Sequence, residues 1–248
     1  MLIHPTVDQL VRLGLAGMAR AFGELQENPS AAGLGHAEWL ALLLDREATE
    51  RSNRQLTARL RHAKLRQRAT IEDIDYRAAR GLDRTLLQRL IAGDWIEAPQ
   101  NLIIEGPTGV GKSWLACALG NKACRDNRSV LYQRVPKLFP DLALARGDGR
   151  YPRLMKKLGK VKLLILDDWG LEPFGSEQRR DLLEIVEERC GRGATLITSQ
   201  IPVDRWHDII GEPTIADAIL DRIVHNAHRL KLKGDSLRRK LASQQTDA

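Results

Sequence analysis

Residues 102–120 read LIIEGPTGVGKSWLACALG. An apolar run of strand length leads into a loop with three glycines. The loop ends in Lys-Ser just where a helical pattern begins. Glycine costs backbone entropy on folding, so three in one loop mean that the backbone itself must be reachable. Gly106, Pro107, Thr108, Gly109, Val110, Gly111, Lys112 and Ser113 fit the phosphate-loop pattern G-x-x-x-x-G-K-[ST] in its required strand-to-helix setting. Amide N–H groups in such a loop converge on an anion, and the following helix adds its positive end. Lys112 is expected on the β- and γ-phosphates of ATP, and the Ser113 hydroxyl on Mg²⁺.

Two further strand ends belong with this loop. KLLILDDWG, residues 162–170, is apolar up to Asp167 and Asp168. Ligands of parallel sheets lie beyond the carboxyl ends of the strands, which would bring both carboxylates to the phosphates. Asp167 is the expected Mg²⁺ partner, and Asp168 is expected to orient or deprotonate the attacking water. TLITSQ, residues 195–200, ends in three polar residues. One of Thr198, Ser199 and Gln200 is expected to sense the γ-phosphate, and Ser199 is the choice made here.

The surrounding pattern sets the fold class. Strands are expected in NLIIEG, SVLYQRV, VKLLILDDWG, ATLITSQI and HRLKLKG, with helical segments between them. That alternation predicts an α/β fold, a parallel sheet with helices on both faces. Before Asn101 the chain reads as helix only. TVDQLVRLGLAGMARAFGELQENPS is expected as one helix stopped by Asn28-Pro29-Ser30, and HAEWLALLLDREATERSNRQLTARLRHAKLR as a second, with Thr70 or Asp73 capping shorter ones. A Ser176 cap is expected on SEQRRDLLEIVEERCGRG. The expected organisation is a helical region over 1–80, which selects partners and assembly, and an ATPase domain over 81–248.

The 248 residues carry a net charge of +7, which favours polyanionic partners. No stretch is long and apolar enough to span a bilayer, and the N-terminus lacks the features of a signal peptide. Cys117, Cys124 and Cys190 show no pairing pattern and are expected as buried free thiols in a cytoplasmic protein. His225 and His228 are expected on a helix surface or a subunit contact, and Trp114, Trp169 and Trp206 as packing residues. Two basic stretches compete as a DNA surface. One spans Arg46 to Arg68. The other comprises Arg146, Arg150, Arg153, Lys156, Lys157 and Lys160. With only 4% aromatic residues, base stacking is a minor term, so binding to phosphates without sequence preference is expected.

LDDWG, TSQ and DAILDRIVHNAHR, with the phosphate loop before them, resemble the IstB-type helper ATPases of insertion sequences. These are AAA+ proteins related to DnaC helicase loaders and DnaA initiators. The resemblance covers nearly the whole chain. It implies an ATPase that forms a ring or helical filament on duplex DNA, recruits and stimulates a transposase, and leaves on hydrolysis. It implies that Arg222, in AILDRI, reaches the γ-phosphate held by a neighbouring subunit; an arginine paired with Asp217 or Asp221 is the plainer alternative. It favours the second basic stretch as the DNA surface. Two departures stand out. Most AAA+ ATPases carry Glu where this chain has Asp168, which implies slow hydrolysis unless assembly on DNA repositions it. No separate C-terminal lid is expected, with Arg238 left as the residue nearest that role. A DnaC-like helicase loader acting on single-stranded DNA is the alternative function, and a nucleotide-gated scaffold with negligible turnover is a third.

Overall fold

The computed structural model describes residues 5–78 and 80–236; Arg238 lies outside them. The chain divides into two compact units, Met1–Ala58 and Arg59–Ala248.

In the first unit, α1 (Pro5–Arg12) and α2 (Ala16–Glu27) are separate helices. The single helix expected there is broken at Gly14, whose φ of +74° is the left-handed conformation that ends helices. The long α3 (His36–Ala63) begins in this unit. Met18, Ala21 and Leu43 form a small core flanked by Leu10, Leu15, Phe22 and Leu25. Leu15 at the N-cap of α2 has no side-chain acceptor to offer. Glu47 of α3 supplies one: its Oε2 accepts from the amides of Gly17 at 2.8 Å and Met18 at 3.2 Å. Its Oε1 accepts from Arg51 at 2.7 Å. A Cβ on Gly17 would come within 2.8 Å of the Glu47 Cα, so the close approach of the helices depends on that glycine.

The Arg51 hydrogen bond, with help from the two amides, holds the Glu47 carboxyl below its ordinary value of 4.5. The unfolded chain therefore binds this proton at a higher pH than the folded one. The stabilisation is complete above pH 4.5 and is lost as pH falls through the lower folded value. In Glu47→Gln the thermal midpoint of this unit, followed by circular dichroism from pH 6 to pH 3, is lower at pH 6 and falls less steeply on acidification.

The second unit opens with α4 (Arg84–Ala92), capped by the Asp83 carboxylate, and α5 (Asp94–Glu97). It continues as β1 (Asn101–Glu105), α6 (Lys112–Arg125), β2 (Val130–Arg134), α7 (Val135–Gly147), α8 (Tyr151–Lys160), β3 (Leu163–Trp169) and α9 (Ser176–Arg189). β4 (Ala194–Ser199), α10 (Trp206–Ile210), α11 (Pro213–Val224) and β5 (Ala227–Lys231) follow. All strand pairs are parallel, in the order β2-β3-β4-β1-β5.

Alternate residues of the strands serve opposite faces, as pleating requires. Ile103, Leu131, Leu164, Leu166 and Ile197 join the core formed by α7, α9 and α11. Ile165 faces α6, where Gly120 leaves no room for a Cβ against the Ile165 side chain. Trp169 and Trp206 are buried with ring centroids 4.9 Å apart, as packing residues.

Some local expectations are corrected. Ser176 is the first residue of α9 and does not cap it; the cap is Gly175, whose N–H donates to Gln178 Oε1 at 2.9 Å. Thr70 precedes a short 3-10 turn, Ile71–Asp73, and bonds the Asp73 side chain at 2.8 Å without capping an amide. Cys117 and Cys124 are buried, and burial pushes Cys124 up to about 11, but Cys190 is exposed. α11 ends at Val224, so His228 belongs to β5, where its Nε2 meets Gln100 Oε1 at 2.8 Å.

Arg189 gave no signal in the sequence. Its guanidinium is buried and donates to the carbonyls of Leu158 at 2.7 Å and Val161 at 2.9 Å, to the Ala194 carbonyl, and to Thr195 Oγ1 at 3.0 Å. Burial pulls its pKa down to about 10. The residue fastens the carboxyl end of α8 to the start of β4.

Candidate nucleotide site

The phosphate loop leaves the carboxyl end of β1 and enters α6. Gly109 and Gly111 have φ of +87° and +94°, which side chains other than glycine rarely adopt. Lys112 is buried and its Nζ donates to the carbonyls of Gly106 at 2.8 Å and Pro107 at 2.9 Å, folding back across the loop. Thr108, Gly109, Gly111, Lys112 and Ser113 line a cavity of about 520 Å³. Gly106, Pro107 and Val110 do not line it; Val110 is fully buried beneath the loop.

Asp167 and Ser113 are brought together from β3 and α6. The Ser113 hydroxyl donates to Asp167 Oδ1 at 2.8 Å. The Thr198 hydroxyl also donates to Oδ1, and the Tyr132 hydroxyl to Oδ2. Burial, followed by the hydrogen bond to Asp167 and then its charge, drives the Tyr132 phenol well above its usual pKa, so it stays a donor. Asp167 is thus a fully buried carboxylate held by three hydroxyls, with no ion pair among the described residues. That hard oxygen pair and its uncompensated charge fit Mg²⁺, which takes one or two protein oxygens and keeps several waters.

Asp168 lines the same cavity. The register between β3 and β4 shifts between Leu166 and Trp169, and Asp168 has φ +62°. Such an irregularity re-aims a side chain. Its backbone N–H donates to Thr198 Oγ1 at 3.2 Å. Two arginines meet the same carboxylate oxygen: Arg134 at 2.7 Å and Arg66 at 3.9 Å. The Asp168 hydrogen bond raises the Arg134 pKa further.

Ser199, the choice from the TSQ stretch, is not brought to the cavity. It is fully buried and its single hydroxyl proton is shared between the carbonyls of Trp169 at 3.1 Å and Ile201 at 2.9 Å. Period-two alternation explains this, since its neighbours point the other way. Gln200 lines the cavity and accepts from Thr108 Oγ1 at 2.6 Å. Trp114, expected as packing, also borders the cavity, as do Arg66, Arg134 and Arg80.

Arg222 sits far from this loop in its own chain. The Asn101 side chain, at the amino end of β1, donates to the Arg222 carbonyl at 3.0 Å, whereas the loop leaves the carboxyl end of that strand. The guanidinium pairs with Glu187 at 3.2 Å and the Ala218 carbonyl at 2.8 Å, not with Asp217 or Asp221.

The basic stretch also divides. Arg146 is tied to Asp181 and lies 4.3 Å from the Tyr151 ring centroid, and Arg150 pairs with Asp148 at 2.5 Å. Arg153, Lys156, Lys157 and Lys160 are exposed on α8. Their spacing places them on one face of the helix. Partial burial of its stem, then the charge of Lys64, lowers the Lys157 pKa. No helix among the described residues is long and apolar enough to cross a membrane, and no cluster of three His, Cys, Asp or Glu there could hold a metal.

A phosphate loop on an inner strand of a five-stranded parallel sheet, facing an acidic strand end, defines an ATP-binding P-loop protein of the AAA+ fold. Residues 8–245 match the family described as IstB-like ATP binding protein, and the chain belongs to that family. It is 67% identical over 239 residues to the insertion sequence ATP-binding protein y4pL of Sinorhizobium fredii, covering 96% of this chain and 98% of that one. It is 31% identical to the ATP-binding protein of insertion sequence IS21 from Pseudomonas aeruginosa, over 96% and 90% of the two chains. Among solved structures it resembles DnaI, with a TM-score of 0.57 and 25% identity over 66% of this chain and 91% of that one.

Proposed function

We propose that this protein is an ATP-hydrolysing transposition helper. It assembles as a homo-oligomer on duplex DNA with ATP, recruits and stimulates the transposase of its element, and is released by hydrolysis in the cytoplasm. The observation that carries the reading is the meeting of Ser113 with the buried Asp167 at 2.8 Å, at the wall of a cavity that Ser113 and Asp168 line and that is large enough for a nucleotide. Ser113 and Asp167 would hold Mg²⁺, which supplies neutralisation of phosphate charge. Loop amides and Lys112 bind the polyphosphate. Thr198 fixes both the Asp167 side chain and the Asp168 backbone, so the strand end is rigid. Asp168 orients the water and takes its proton. With Ser199 turned away, Gln200 takes the place beside the γ-phosphate. Arg222 completes the site of the adjacent subunit. Residues 1–80 select the partner.

DNA lies on the α8 stripe of Arg153, Lys156, Lys157 and Lys160. Four phosphate contacts give a salt slope of about −3 to −4 on logarithmic axes, with little dependence on sequence. A helicase loader acting on single strands is the second reading, since the fold also resembles that of the DnaC helicase loader, with a TM-score of 0.52. Binding assays with labelled duplex and single strands, at several salt concentrations and with a non-hydrolysable ATP analogue, test both. The proposal expects ATP-dependent duplex binding that Lys112→Ala abolishes along with phosphate release. A Lys112→Ala protein equal to wild type in both assays overturns the ATPase reading, and a strong single-strand preference favours the loader.

A further inference from the structure

The motif residues account for one end of the 520 Å³ cavity; its other wall is built by the segment before α4. Asp73, Asp75 and Arg80 line that wall. Arg80 is 4% exposed, yet its guanidinium has no ion pair among the described residues. One of its terminal nitrogens donates to the Asp75 carbonyl at 3.1 Å, and Nε has no hydrogen-bond partner. Burial lowers its pKa. A buried, under-satisfied cation is costly unless something completes it.

The position of Arg80 follows from the chain after β5. The Leu232 N–H donates to the Glu105 carbonyl at 2.8 Å, and the Lys233 N–H donates to the Arg80 carbonyl at 2.8 Å. Residues 232–233 therefore run between the start of the phosphate loop and Arg80. The same segment covers the loop: a Cβ on Gly106 would strike the Leu232 carbonyl, and one on Gly109 would strike Ser236. Arg66, by contrast, reaches towards Asp168 at 3.9 Å and marks the γ-phosphate end.

We infer that Arg80 is a nucleoside-binding residue, which meets the ribose and base of the triphosphate while the loop holds its phosphates. The inference rests on the nucleotide-site reading above. Electrostatics orient the ligand: the loop end offers amides and Lys112, whereas Asp73 and Asp75 repel phosphate and accept from hydroxyl or amino groups. Arg80 lies between these carboxylates and the backbone strap of residues 232–236. Its forked, planar head suits the acceptors and flat face of a nucleoside.

The test compares ATP with inorganic tripolyphosphate, each with Mg²⁺, by calorimetric titration of wild type, Arg80→Met and Lys112→Ala. Arg80→Met is expected to weaken ATP about tenfold or more while leaving tripolyphosphate within about twofold, because only the nucleoside contact is removed. Lys112→Ala is expected to weaken both. The retained tripolyphosphate affinity doubles as the folding control. An Arg80→Met protein that keeps full ATP affinity, or loses both ligands in parallel, overturns the assignment. Wild type that binds neither ligand overturns the nucleotide site itself, a separate result.

Discussion

Replacing Arg222 with alanine is expected to lower ATP hydrolysis by the assembled protein about a thousandfold, the usual scale for an arginine supplied to a transferring phosphoryl group. ATP binding by the isolated chain is expected to survive, because Arg222 takes no part in its own loop. Arg222 is held at the amino end of β1 by Asn101, and the phosphate loop starts beyond Glu105. Those residues lie about 13 Å apart along an extended strand. An arginine there can reach a phosphate only in a neighbouring subunit. Mixing Arg222→Ala with Asp168→Asn, which still binds ATP and assembles, therefore restores activity, since one protein contributes the loop and its base and the other the arginine. Random mixing in a closed or helical assembly makes about a quarter of the interfaces competent. A mixture as inactive as either parent would falsify action between subunits. Arg222→Lys is expected to recover little, because a point charge lacks the guanidinium fork.

The second large effect is expected at Asp168. Asp168→Asn keeps the volume but cannot accept a proton, so phosphate release falls by about two to four orders of magnitude while ATP still binds. The DNA-bound assembly then persists instead of dissociating, which a chase with unlabelled duplex measures. Asp168→Glu is expected to keep turnover at or above the wild-type level, since the added methylene extends the carboxylate while retaining its chemistry. If Asp168→Asn hydrolyses ATP like wild type, the base lies elsewhere. The pairing of Arg134 with Asp168 at 2.7 Å makes the outcome informative, because the same carboxylate oxygen has a competing partner.

Much of this molecule was legible from residue order. The phosphate loop, its flanking strand and helix, Asp167 and the five strands all follow from local rules: glycine spacing, apolar runs and a parallel α/β alternation. Each strand was expected within a few residues of where it lies. Such features depend on neighbours in the chain, so a linear reading reaches them.

The rest needed the third dimension. Ser199 and Gln200 are adjacent in sequence, yet one is turned into backbone carbonyls and the other borders the cavity, because pleating and strand register decide which side each serves. Arg134 meets Asp168 only because β2 is laid beside β3. Arg146 looked like its basic neighbours, and an acid on a later helix, Asp181, removed it from the free surface. Arg80 lines the cavity and Arg189 fastens α8 through carbonyls that no sequence spacing reveals. Sequence alone determined which chemistry the chain carries and which segments bear it. Tertiary structure decided which side chains meet, since contacts between distant strands arise from sheet order and register, which local periodicity does not encode.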